Sequence, residues 1–330
     1  MTGPFDVLTI GNAIVDIIAY AEDDYLVSEN IIKGAMNLID VERAEHLYAA
    51  MGPATEQSGG SAGNTAAGVA GLGGTAAYFG KVSSDQLGTI FNHDMRAIGV
   101  HYETKPLAGD PPTARSMIFV TPDGERSMNT YLGACVELGP EDIDEAVVAA
   151  SNITYFEGYL WDPPRAKEAI RKAAEIAHAN NRTMSMTLSD PFCVDRYRDE
   201  FLDLIRSKTV DLVFANEHEL KSLYQTASFE EALAAIRSEC ELAAVTRSEK
   251  GSVVVTREET HAIDAHPIEK LVDTTGAGDL YAAGFLFGLT HDRSLEDCAR
   301  IGGMAAAEVI QQIGPRPRAN LADLLAQEGF

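Results

Sequence analysis

Between Asp273 and Asp279 the chain reads DTTGAGD, two carboxylates bracketing two threonines and a Gly-Ala-Gly, and the run LYAAGFLFGL follows at once. Nearly continuous apolar character over that run predicts a buried helix that starts at Gly276, Ala277 and Gly278. Unpaired amides at a helix start, with no side chain to block approach, form an anion site that the helix dipole reinforces. A carboxylate is unwelcome beside a bound phosphate unless it takes a proton from a hydroxyl that attacks the phosphorus. The pattern points to phosphoryl transfer to an alcohol, with Asp279 as general base and residues 276–278 as the anion hole. It equally fits an aspartate that only caps its helix, over glycines that only permit packing.

The elements that must position these residues are legible along the chain. FDVLTIG near the N-terminus reads as a strand buried on both faces. From Ser151 onward NITYFEG, TMSMTLSD and VDLVFAN read as strands, separated by the helical runs PRAKEAIRKAAEIAHANN and YRDEFLDLIRS; FEEALAAIRSEC follows as a helix, then LAAVTRS and SVVVTRE as strands. That rhythm predicts a doubly wound α/β core with a mostly parallel sheet. Between Val100 and Ala134 the texture changes: TARSMIFVTPDGERSMNTYLG gives two alternating runs joined by Pro122-Asp123-Gly124, a hairpin without a helix. A second small sheet follows, built partly from residues 14–20 and 32–39. The expected division is 1–11, 41–99 and 135–330 for the core and 12–40 and 100–134 for a β lid.

With 330 residues, 45% hydrophobic and 23% charged, the chain has the composition of a soluble globular protein. No run approaches the roughly 18 apolar residues a membrane span needs, and MTGPFDVLTIGN lacks the basic flank and apolar centre of a secretion signal, so a cytoplasmic location is expected. Cys135, Cys193, Cys240 and Cys298 are scattered without a C-x-x-C pair and read as small buried hydrophobes. A formal charge of −24 argues against a nucleic-acid partner. It leaves room for a small anion held by local amides.

The chain resembles the ribokinase-like (PfkB) family of sugar and nucleoside kinases. GGSAGNTAAGVAGLGGTAAYFGKVSSDQLG from Gly59 to Gly88 looks like that family's N-terminal signature, DTTGAGD like its C-terminal one, with NEHE at 216–219 and TRSEKGS from Thr246 between them. The resemblance implies MgATP as donor. Asn216 and Glu219 match the element that places Mg²⁺ and phosphates through water, although NEHE alone also fits a solvated helix start. Thr246, Gly251 and Thr275 match nucleotide-side positions, but Ser248 or Glu249 stands where the pattern usually has glycine. A monovalent cation such as K⁺ near Asp273, Thr275 and the turn at Gly314 is implied for some members.

On the acceptor side Asn12 and Asp16 follow the first strand, and a carboxylate there suits a vicinal diol; Asp16 equally suits turn amides. Gly59, Gly60 and Asn64 match further acceptor contacts of the family. GNAIVDI, GERSMNTYLGA and LSDPF resemble adenosine kinases, which makes a nucleoside, phosphorylated on its 5′-hydroxyl, the expected acceptor and a free sugar the alternative. Met36, Leu38, Leu132, Ala134, Tyr159 and Leu160 are candidates for apolar walls around a base, each of which also suits core packing. Arg115 and Arg126, on the hairpin, fit either a reach into the site or solvated strand residues, of which the second is the expected reading. A Rossmann dehydrogenase is disfavoured because IGNAIVDI lacks the G-x-G-x-x-G turn. A silent ligand-binding module keeps the fold without the chemistry. The chain is expected to work as a monomer or homodimer, through the paired or unpaired edge of its lid.

Overall fold

The computed structural model describes residues 5–330. Among these, thirteen strands run as β1 Phe5–Ile10, β2 Ile14–Tyr20, β3 Met36–Leu38, β4 Ala54–Ser58, β5 Ala76–Phe79, β6 Ala114–Val120, β7 Arg126–Tyr131, β8 Ser151–Glu157, β9 Thr183–Thr187, β10 Leu212–Asn216, β11 Leu242–Thr246, β12 Ser252–Thr256 and β13 Thr260–Ile263. Eight form the main sheet in the order β13-β12-β11-β10-β9-β8-β1-β5. It is parallel from β5 through β11 and antiparallel at the β12 and β13 edge. Its central strands are buried at most positions because both faces are covered. Leu8, Phe156, Val213 and Val245 face one core with the helices Pro164–Ala179 and Pro191–Arg206; Val7, Tyr155, Phe214 and Ala244 face the other.

The helix predicted after DTTGAG spans Ala277–Thr290 and is buried from Leu280 to Gly288. It tolerates an apolar surface all round because small residues let its neighbours close in. A Cβ on Gly284 would stand 2.7 Å from the Cα of Gly302 in the helix Leu295–Val309, and one on Gly68 would stand 2.6 Å from Ala283. Gly68 belongs to the helix Ser61–Gly71, so the two family-like signatures pack directly against each other.

The second sheet has five strands in the order β3-β7-β6-β2-β4. β6 and β7 pair antiparallel, as PDG predicts, with Gly124 at φ 87° in the turn. One boundary differs from the sequence reading: Ala54–Ser58, assigned there to the core, pairs antiparallel with β2. Its sequence ATEQS carries no β-branched alternation, so only the partner strand identifies it.

Candidate active site

The C-terminal ends of parallel strands are where an open α/β sheet presents loops and helix N-termini to a ligand. There, between the ends of β9, β10 and β11 and the inner face of the second sheet, lies a cavity of about 860 Å³. A hollow of similar volume opens at the opposite ends of the strands, where His178 is paired with Asp211 at 2.9 Å, and no helix N-terminus points into it.

Asp279 sits in the first turn of Ala277–Thr290 and lines the cavity. Its carboxylate accepts hydrogen bonds from the Ser61 hydroxyl at 2.6 Å and the Asn64 side-chain amide at 2.9 Å, both from the first turn of Ser61–Gly71. Burial raises its pKa to about 6, against the lowering effect of those two donors and of the Arg316 charge. The helix begins at Gly276, φ 80°, a left-handed position where a Cβ would also press on Pro315 at 2.9 Å. Beside it Gly278 has nothing outside its own helix turn within 4 Å of where a Cβ would stand, an open cradle that fits a phosphoryl group. Ala277 contributes less than the sequence suggests, since its amide is bonded to the Thr274 carbonyl at 3.2 Å.

Asp16 lines the cavity from β2, and its carboxyl is likewise raised to about 6 by burial, with Arg126 and Arg316 opposing. Gly59 and Gly60 are needed for close approach: a Cβ on Gly59 would meet the Asp16 carboxyl at 2.5 Å, and one on Gly60 would meet the Asn12 carbonyl at 2.1 Å. Asn12 itself lies behind the wall. Its backbone and side-chain amides both donate to Glu157, at 2.9 and 2.8 Å, and the other Glu157 oxygen accepts from Ala62 at 2.8 Å. Burial pushes Glu157 up to about 7. This carboxylate ties the end of β1 to the start of the Ser61 helix, and sequence reasoning missed it, although an acid ending a buried strand was a signal.

Asn216 and Glu219 line the cavity as a reciprocal cap on the helix Glu217–Leu223. The Asn216 oxygen accepts from Glu219 N at 2.9 Å, and the Glu219 carboxylate accepts from Asn216 N at 2.8 Å. Burial raises Glu219 to about 7, a cost that a divalent cation would offset. Thr246, Gly251 and Thr275 line the same cavity. Of Ser248 and Glu249, either of which could stand at the family's glycine, Ser248 holds φ 53°, a left-handed position that its side chain disfavours.

The apolar candidates fare unevenly. Tyr159 lines the cavity, whereas Leu160 and Ala134 are wholly buried in the core and Leu132 is set back before the turn Gly133–Glu137. Met36 and Leu38 pair with Met128 and Thr130 and so share the inner face, but on an edge strand that leaves them 48% and 59% exposed at the rim. The wall that the second sheet gives the cavity is made by Ile14, Ile118 and Met128. Period-two alternation marks these faces, but a sequence does not say which one turns inward.

Arg126 corrects the reading of a solvated side chain. Its guanidinium is buried and donates to Asp273 at 2.5 Å, leaving Nε and Nη2 without partners. Arg115 is also largely buried, near Glu45 and the Tyr131 ring. Asp273 further accepts from Thr275, at 3.0 Å from the amide and 2.7 Å from the hydroxyl, and from Gly314 N at 2.9 Å. It does not line the cavity. Burial would raise it, yet those donors and Arg126 hold it below the usual carboxylate range.

A held carboxylate facing an open helix N-terminus, under a second sheet, defines a phosphotransferase that acts on an alcohol. The family comparison agrees: residues 6–320 match the pfkB family of carbohydrate kinases, and the chain belongs to that family. Family membership implies use of ATP. The solved adenosine kinase of Sinorhizobium meliloti is 67% identical, with a TM-score of 0.92 over 98% of this chain and 99% of that one. A probable sugar kinase from Rhizobium etli is 66% identical, with a TM-score of 0.93 over 99% of both. Adenosine kinase 2 of Arabidopsis thaliana is 29% identical over 93% of this chain and 94% of its own.

Proposed function

We propose that the chain transfers the γ-phosphoryl group of MgATP to the 5′-hydroxyl of adenosine, giving AMP. The observation that carries the chemistry is the Asp279 carboxylate, fixed by Ser61 and Asn64 beside the open cradle at Gly278. Asp279 accepts the proton of the acceptor hydroxyl as its oxygen bonds to phosphorus. Gly276 and Gly278 keep the helix start accessible to the phosphoryl oxygens, and the helix dipole favours the charge that develops there. Asp16 orients the acceptor diol from the opposite wall. Asn216 and Glu219 would hold hydrated Mg²⁺, which would neutralise phosphate charge.

Ile14, Ile118 and Met128 support a nucleoside over a free sugar, because an apolar lid wall favours a planar base. The Arg126 guanidinium already neutralises Asp273, so this reading includes no monovalent cation. The test is ADP release with adenosine, inosine, guanosine, ribose and fructose. Turnover confined to nucleosides with adenosine fastest is expected, and turnover confined to sugars rejects the acceptor. Asp279→Asn should lower kcat by roughly 10³-fold or more while ATP binding stays within about twofold; near-native turnover rejects the base.

A further inference from the structure

The turn after the helix Leu295–Val309 meets the site at three consecutive residues. Gly314 donates to Asp273, Pro315 packs on Gly276 at the helix start, and Arg316 reaches across to the lid. Arg316 Nη2 donates to the Ser58 carbonyl at 3.0 Å and the Ser58 hydroxyl at 3.1 Å, while Nη1 donates to the Gly63 carbonyl at 3.2 Å. Ser58 ends lid strand β4, and Gly63 lies in the helix that carries Ser61 and Asn64. The guanidinium thus bridges the two sides of Gly59-Gly60.

We propose that Arg316 is a positioning residue of the active site, tying the end of β4 to the first turn of the Ser61 helix and supplying positive charge beside the turn that holds Asp279. The charges around Asp279 are few. Asp16 on β2 and Glu157 on β8 are acids within its field, Tyr155 on β8 is neutral with its hydroxyl pushed up by burial, and the Ser61 helix adds only the neutral donors Ser61 and Asn64. Arg316 is the cation that opposes them at Asp279, and Asp94, which accepts from Ser58 N at 2.8 Å, shares its charge from the far side. A lysine preserves the charge but not a planar fork that spans two carbonyls.

The inference rests on Asp279 as base, a reading that Asp279→Asn tests separately through turnover alone. The experiment is the pH profile of kcat/KM for adenosine in Arg316→Gln and Arg316→Met, the latter replacing a buried charge by an apolar side chain of similar length. The acid limb should move up by about one pH unit in either, so that turnover falls more at pH 6 than at pH 8.5. Arg316→Lys should return the limb to its native position while KM for adenosine stays raised. If neither charge-free variant is soluble, Asp94→Asn carries the test, because freeing Arg316 of a competing carboxylate should lower the limb by a few tenths of a unit. A limb unmoved in a folded charge-free variant, or in Asp94→Asn when that carries the test, overturns the proposal.

Discussion

At the scale of single residues, Asp279 as the proposed base needs both access and an environment that leaves it basic. Burial raises it to about 6, and the Ser61 hydroxyl and Asn64 amide limit the rise. A base must be deprotonated to act, so kcat/KM should fall as pH drops through about 6, with Asp16 titrating in the same window. Ser61→Ala removes the donor at 2.6 Å. It should lower kcat about tenfold at pH 7 and move the acid limb upward, because the charged carboxylate loses a stabilising partner. A pH–rate series on both proteins checks this, and a limb that stays in place in Ser61→Ala contradicts the assigned role. The positions of Asp279 and Gly276 at the start of a buried helix were legible from type and spacing, whereas Asn64 came only through the family resemblance, as an acceptor contact, and the structure sets it on Asp279. Ser61, three positions before Asn64 and on the same helix face, had the same signal and was overlooked. Arg316 had none, since GPRPR gives no hint of which distant carbonyls it meets.

At the scale of elements, the lid is joined to the core by Arg126 on β7 and Asp273 in the loop before the catalytic helix. Breaking a buried pair by removing one partner leaves the other charge uncompensated, at a cost of about 3–5 kcal/mol. Arg126→Met should therefore lower the melting temperature and leave Asp273 in need of a cation. Turnover of the native enzyme should change less than about twofold when K⁺ is replaced by tetramethylammonium, and Arg126→Met should become K⁺-stimulated; strong K⁺ dependence in the native enzyme would show that the guanidinium does not replace the ion. Strand and helix order were readable because βαβ units alternate two clear periodicities. The second sheet was readable through its PDG hairpin, but ATEQS at β4 was not, for a short polar edge strand is specified by its partner. The acceptor wall was misread for the same physical reason. Met36 and Leu38 look like a pocket, yet burial depends on whether a strand lies at the edge or the centre of its sheet.

At the scale of the whole molecule, the site gathers four buried carboxyls that folding makes harder to ionise: Asp16 and Asp279, raised to about 6, and Glu157 and Glu219, raised to about 7. Between about pH 4 and 7 the folded chain holds protons on these groups that the unfolded chain has released. Stability therefore falls as pH rises through that window. Carboxylates held low, such as Asp273 and Glu217, lose their contribution only below their ordinary range, so they do not reverse the trend. Protonation also reduces the self-repulsion of a chain with a formal charge of −24. The unliganded protein should melt roughly 3–6 °C higher at pH 5.5 than at pH 7.5, opposite to its activity. Asp279→Asn isolates one part of this conflict, since an amide keeps the Ser61 and Asn64 neighbourhood polar but has no proton to release. That variant should melt about 2–4 °C above the native protein at pH 7.5, with the gap about halved at pH 5. Scanning calorimetry at the two pH values decides it: an equal or lower melting temperature for Asp279→Asn at pH 7.5 would mean that burying the base costs the fold nothing.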